Sequence, residues 1–217
     1  MKNLIQGIVD FRKSLTDERR ALFAKLALGQ KPDALFIACS DSRVVPNLFA
    51  STNPGDLFVI RNIGNLVPPH AEQVEENCVR AALEFSVLFL KVADIIVCGH
   101  SECGAMQALV EGFDTRASPH LGSWLKYGAP SLSKRAREVI IDPLLLFHNQ
   151  ISQINVLQQI EHIASYPFIQ ERLEKGTLRL HGWWFDIAMA TVYCYEPTVS
   201  RFVLIDEQEA KMIISRL

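Results

Sequence analysis

The sequence predicts an α/β fold: a mostly parallel β-sheet flanked by helices, with an N-terminal helical arm and an added strand region near the C-terminus. Two observations carry that expectation. Short apolar runs at Ala34 to Ala38, Leu57 to Ile60 and Ile95 to Cys98 are bounded by turn or polar residues, which is how strands buried on both faces read. Segments of helical period lie around them, and strand alternating with helix implies crossovers and therefore parallel neighbours. A chain of 217 residues suits one domain with a sizeable core. We read 1–217 as that domain, with an arm at 1–30, a core at 31–112 that carries the chemistry, and helical and strand additions at 113–217.

In chain order, Ile5, Ile8, Val9 and Phe11, then Leu22, Phe23, Leu26 and Leu28, recur at helical spacing, so the first thirty residues read as one or two amphipathic helices. Their apolar face has no obvious partner within a small α/β domain, and a second copy of the chain would cover it. The strand at 34 to 38 follows Pro32-Asp33 and stops at Ser-Asp-Ser; the next follows the turn Asn53-Pro54-Gly55-Asp56. Glu72 to Leu90 reads as a helix with a wide apolar face, including Val79, Leu83, Phe85 and Val87, that feeds the strand at 95 to 98. Ala105 to Val110 opens another helix. Beyond Gly112, prolines and glycines mark loops between short helices until Ile151 to Ala164 returns to helical period. Thr177 to Ile187 and Val192 to Tyr195 read as strands joined by a turn, Phe202 to Ile205 as a third, and Glu207 to Leu217 as a closing helix.

Charge excludes some partners. Twenty-two basic and 24 acidic residues leave a net charge of -2 without a long basic block, so no nucleic-acid face is indicated. Residues 1–20 mix charges into their apolar positions and no run reaches membrane-spanning length, which predicts a soluble cytoplasmic protein without a membrane partner. Five cysteines without framework spacing fit reduced thiols better than disulfides.

Two polar segments follow two of the strands. Cys39-Ser40-Asp41-Ser42-Arg43 leaves the first, and Gly99-His100-Ser101-Glu102-Cys103-Gly104 leaves the strand at 95 to 98. In open parallel sheets the carboxyl ends of the strands are where ligands bind. Cys39, His100 and Cys103 therefore form a candidate zinc set of two thiolates and one imidazole, with one tetrahedral position left for water or substrate. Asp41 and Arg43 place an acid and its counter-ion beside that position. A closed structural site that adds Cys98 is the competing arrangement, although a residue two before His100 at a strand end should face the core. Cys78, Cys98 and Cys194 read as small buried hydrophobes, and His70, His120, His148 and His162 as ordinary core or surface residues.

Several motifs occur together: Cys-Ser-Asp-Ser-Arg-Val at 39–44, Pro-Gly-Asp-Leu-Phe-Val-Ile-Arg-Asn at 54–62, Gly-Asn-Leu-Val-Pro-Pro at 64–69, Gly-His-Ser-Glu-Cys-Gly-Ala-Met at 99–106 and His-Gly-Trp at 181–183. In kind and order they resemble the β-class carbonic anhydrases. The resemblance implies one zinc per chain on Cys39, His100 and Cys103, a catalytic Asp41-Arg43 dyad, and a homodimer or larger homo-oligomer in which the N-terminal helices wrap the partner. It also implies a substrate pocket for CO2 and bicarbonate formed by Gln30, Phe58, Ile63, Phe85 and Gly104, with Val67 nearby, and places Gln30 and Phe58 in the partner's site.

The pattern departs at Phe85, where many plant-like members carry tyrosine and a pocket hydroxyl. It departs again at 75–80 and at Met189-Ala190-Thr191, which bear on local packing. Phe36 stands where the bicarbonate-regulated subclass carries tryptophan, so an ungated enzyme is expected. The implied activity is zinc-dependent reversible hydration of CO2. Hydrolysis of COS or CS2 on the same residues and a non-catalytic zinc-stabilised interaction module are the alternatives.

Overall fold

The computed structural model describes residues 1–71, 77–133 and 139–216. Two helices, α1 (Lys2–Ser14) and α2 (Asp17–Leu26), precede the sheet and bury none of their residues. Thr16 caps α2 by accepting from the Arg19 N–H, and Arg12 and Lys13 in the last turn of α1 complement the negative end of its dipole. Leu4, Ile5, Ile8, Val9 and Phe11 are all exposed. The helices therefore form an arm, as the apolar spacing predicts, whose apolar face is uncovered within one chain.

The sheet begins at β1 (Ala34–Cys39), buried at every position. A short helix α3 (Pro46–Phe49) leads to β2 (Leu57–Asn62), and a single 3-10 turn at Ile63–Asn65 follows. The helix expected over 72–90 is α4 (Cys78–Glu84), capped by the Asn77 side chain; residues 72–76 lie outside the described residues. Phe85–Phe89 continues it as a wider π turn, in which the Leu90 N–H donates to the Phe85 carbonyl, five residues back. Next come β3 (Asp94–His100), α5 (Gly104–Glu111), α6 (Pro119–Leu125) and the long α7 (Phe147–Ala164). The chain closes with α8 (Pro167–Glu174), β4 (Arg179–Asp186), β5 (Thr191–Glu196), β6 (Arg201–Leu204) and α9 (Glu207–Ile214).

One six-stranded sheet results, in the order β2-β1-β3-β4-β5-β6. The pairs β1-β2, β1-β3 and β3-β4 are parallel; β4-β5 and β5-β6 are antiparallel. The mostly parallel sheet flanked by helices is thus the expected one, and the segment read as strand additions supplies half of its strands. The central strands are buried on both faces. Leu35, Ile37, Ile95 and Val97 face a cluster with Leu83, Val156 and Ile163, and Phe36, Ala38, Ile96 and Cys98 face another with Val44 and Phe185.

Helix α7 lies close against β3 and β4, and two glycines make room for it. A Cβ at Gly99 would stand 2.8 Å from Val156 Cγ2 and 3.2 Å from the Ser152 carbonyl, and one at Gly182 would meet Val156 Cγ1 at 3.0 Å. Gly99→Ala should therefore push α7 off the sheet edge and lower stability by about 1–3 kcal/mol. A denaturation midpoint equal to wild type would show that α7 can retreat freely.

Candidate metal centre

β1 and β3 are hydrogen-bonded neighbours, with Ala38 level with Cys98. Their carboxyl ends therefore bring Cys39, which closes β1, beside His100, which closes β3. From His100 the chain turns through Ser101 and Glu102, the latter at φ 54°, and delivers Cys103 at the N-terminus of α5. The ligand atoms of Cys39, His100 and Cys103 all lie within 4.8 Å of one another, and all three residues are buried.

The donor set fits a metal ion. His100 Nδ1 lies 2.8 Å from the Ser101 carbonyl. A carbonyl can only accept, so Nδ1 carries the proton and Nε2 is the nitrogen free to coordinate. Nε2 is fully buried and has no hydrogen-bond partner. Leaving a buried polar atom without a partner is costly, and a metal ion would satisfy it.

The two sulfurs move each other's acidity in opposite directions. Cys39 is pulled well below an ordinary thiol, first by the Cys103 thiol donating to it and also by the backbone N–H groups of Gly64 and Asp41, against the opposing effect of burial. Cys103 is pushed up by Cys39 and by burial, although the backbone N–H groups of Met106 and Ala105 in the first turn of α5 pull the other way. A cation placed between the sulfurs would displace the thiol protons and leave two thiolates.

Cys98 is absent from the cluster of ligand atoms. It is fully buried among Ala38, Ile96 and Phe185, and burial pushes its thiol up. The four-ligand closed arrangement is therefore not the one built here. Cys194 is likewise buried, but Cys78 is exposed. The expectation of a buried Cys78 fails because that residue opens α4 directly after its cap, where the side chain faces out.

Arg43 clamps Asp41 from two nitrogens, Nε to Oδ1 at 2.9 Å and Nη2 to Oδ2 at 2.7 Å. Its own backbone N–H donates to the same carboxylate, and Nη2 also donates to the Glu102 carbonyl at 2.9 Å. These bonds, Arg43's side chain foremost, hold Asp41 well below the usual carboxylate range. Asp41 Oδ2 lies 4.0 Å from His100 Nε2, beside the place a metal would occupy.

The remaining candidates divide into two groups. Ile63 and Gly104 belong to the carboxyl edge. Ile63 follows β2 and is 45% exposed, its carbonyl held by Trp124 Nε1; Gly104 follows Cys103 and faces open space. Gln30, Phe58 and Phe85 stand at the opposite edge of the sheet. Phe58 is level with Leu35, whereas Asn62 is level with Cys39, a separation of about 13 Å along the strand. The rings of Phe58 and Phe85 are 5.8 Å apart. Exposed Gln30 lies between Leu26, which touches Gly55, and Asp33, whose N–H donates to the Asp56 carbonyl, so it sits by the turn that enters β2. Val67 is fully buried in the core.

Other positioning residues gave no sequence signal. Arg61 donates to the carbonyls of Cys39 and Asp41, and the face of α7 towards the site is polar. Ser152 donates to the His100 carbonyl, and Asn149 accepts from the Glu102 N–H and donates to its carboxylate.

A family profile described as carbonic anhydrase matches residues 34–192. A carbonic anhydrase from Pseudomonas aeruginosa is 39% identical over 208 residues, 95% of this chain and 93% of that protein; one from Synechocystis is 38% identical over 94% of this chain and 74% of its own. The solved β-carbonic anhydrase CcaA superposes with a TM-score of 0.85 at 36% identity, covering 97% of this chain and 96% of that one. A tetrameric β-carbonic anhydrase from Sordaria macrospora superposes with a TM-score of 0.76 at 31% identity, covering 89% of this chain and 95% of that one.

Proposed function

The chain belongs to the β-class carbonic anhydrases and catalyses the reversible hydration of CO2 to bicarbonate and a proton; we propose how its own residues do so. The observation that carries the reading is the buried, partnerless Nε2 of His100 facing two cysteine sulfurs. Cys39, His100 and Cys103 would hold one zinc per chain, leaving one position open. When bound, the ion supplies a Lewis acid that makes water nucleophilic, more weakly with two thiolates than with three imidazoles because the thiolates cancel its charge.

Asp41, kept ionised by Arg43, accepts a hydrogen bond from the attacking water and turns its lone pair towards the carbon of CO2. Arg43 fixes that carboxylate through two bonds and is itself anchored on the Glu102 carbonyl. While clamped, Asp41 stays out of the open position. Ile63 and Gly104 bound the pocket from the same chain, and we assign Gln30, Phe58 and Phe85 to the site of a second copy, which supports a homodimer or larger homo-oligomer. Phe85 brings no hydroxyl, so that wall holds CO2 by contact alone.

Phe36 packs against Phe49 and Trp183 and has no ring N–H to offer an anion, which supports the ungated subclass. No helix among the described residues is long and apolar enough to cross a membrane, and all five cysteines are free. Both support the cytoplasmic assignment.

Stopped-flow CO2 hydration by zinc-loaded protein tests the activity. Turnover should rise from about pH 7 to about pH 9, because the nucleophile forms by losing a proton from a less acidified water. Hydrolysis of CS2 without hydration of CO2 would reassign the substrate. Arg43→Ala should retain zinc yet lose about ten- to a hundredfold in turnover, since Asp41 is then free to swing away or to fill the open position. Wild-type turnover in that variant would remove Arg43 from the mechanism.

A further inference from the structure

Helix α7 buries Asn149, Ser152, Asn155, Gln159 and His162, a polar stripe at helical spacing where an apolar one is expected of a helix packed on a sheet. Each of these side chains bonds to backbone in one of two segments beside the metal set, the turn after β3 that carries His100 and Cys103 and the loop after β2 that packs against Cys39. Ser152 and Asn149 hold the loop after β3, at His100 and Glu102. Asn155, Gln159 and His162 hold the loop after β2, at Gly64 and Val67.

The orientations of the two amides follow from obligate donors and acceptors. The Val67 N–H can only donate, so Gln159 Oε1 faces it at 2.8 Å. Gln159 Nε2 then faces the Tyr127 carbonyl at 3.0 Å and Asn155 Oδ1 at 2.9 Å. Asn155 Oδ1 also accepts from Ser131 Oγ at 3.3 Å, which leaves Asn155 Nδ2 to donate to the Gly64 carbonyl at 3.1 Å. The Gly64 N–H in turn donates to Cys39 Sγ at 3.3 Å. Gly64 needs this restraint, because its φ of 76° is open to glycine and a Cβ there would meet Ala105 at 3.0 Å.

We propose that Asn155 is a positioning residue of the metal centre: by holding the Gly64 carbonyl, it aims the Gly64 N–H at the Cys39 sulfur and so sets how strongly that thiolate donates to the metal. The inference rests on the zinc reading above and extends it to a fully buried side chain that bonds to no metal ligand itself. An outer hydrogen bond of this kind withdraws charge from a coordinating sulfur and keeps it deprotonated and aimed; without it the sulfur is richer in charge but protons compete for it more strongly, and loss of such outer partners costs ten- to a hundredfold in metal affinity or activity.

Cobalt(II)-substituted protein tests it, because the sulfur-to-cobalt charge-transfer absorption reports thiolate charge directly. Asn155→Asp conserves volume but turns the donor into an acceptor facing a carbonyl, and Asn155→Ser deletes the reaching amide without adding charge. Either should shift the charge-transfer band to longer wavelength and weaken cobalt affinity about tenfold. A variant that only lowers the melting temperature, with band and affinity unchanged, overturns the proposal.

Wild-type protein loaded with cadmium-113 provides a test independent of any variant's folding. The Gly64 amide proton should show scalar coupling to the metal through Cys39 Sγ, and absence of that coupling in metal-loaded protein also overturns the proposal. Failure of wild-type protein to take up either metal would instead refute the metal centre itself, so the two failures are distinct.

Discussion

His100→Ala, Cys39→Ser and Cys103→Ser should each yield protein that loses zinc and CO2 hydration together, with turnover down by about a thousandfold or more. The three losses have different physical origins. His100→Ala removes the buried nitrogen that has no protein partner and leaves only two sulfur ligands. Cys39→Ser puts a much weaker acid where the backbone N–H groups of Gly64 and Asp41 stabilise a thiolate, so the ligand remains protonated. Cys103→Ser removes the second sulfur and the group to which the N-terminus of α5 donates. Cys98→Ala is the control: its thiol sits in the core, and the variant should keep its zinc at some loss of stability. Zinc per chain, measured beside turnover, checks the set, and a variant with full zinc and normal turnover removes that residue from it.

The second large effect concerns the division of the site between chains. Gln30 stands by the turn entering β2, at the opposite end of the sheet from its own Cys39, and it follows an arm that buries nothing. Covering Leu4, Ile5, Ile8, Val9 and Phe11 on a second copy would contribute about 1.5–3 kcal/mol for each side chain fully buried, enough to hold the arm across a dimer. Gln30→Ala and Cys39→Ser chains should each be nearly inactive alone. Refolded together, they should recover up to about a quarter of wild-type turnover, because half of the chains enter mixed dimers and each mixed dimer has one site with both residues intact. If Gln30 served its own chain's zinc, no mixed dimer would contain a complete site and nothing would be recovered. Deleting residues 1–28 should give monomer or aggregate with little activity.

The strands β1 and β3 were legible because a run buried on both faces is apolar throughout, and β2, a half-buried edge strand, because an apolar run follows a turn. Their ends extended further than read: β2 continues through Arg61 and Asn62, and β3 through Gly99 and His100, because backbone pairing runs on after hydrophobicity stops. Helix α8 passed unread although Pro167 occupies its first position, a start signal. The metal set was legible because His100 and Cys103 are local and Cys39 closes a neighbouring strand. Arg61, Ser152 and Asn155 were not, since they act through backbone carbonyls distant in sequence, and the helical period of 151–164 says nothing of what its polar residues bond. Gln30, Phe58 and Phe85 were known only through resemblance; nothing in their spacing sets them at the far edge of the sheet.

Zinc-edge X-ray absorption of the zinc-loaded protein, with and without azide, tests the open two-thiolate centre most directly. The account predicts two sulfur atoms at about 2.3 Å and two nitrogen or oxygen atoms at about 2.0–2.1 Å, one of which azide replaces while both sulfurs remain. A third sulfur, or a spectrum that azide leaves unchanged, would mean a closed structural site and contradict it.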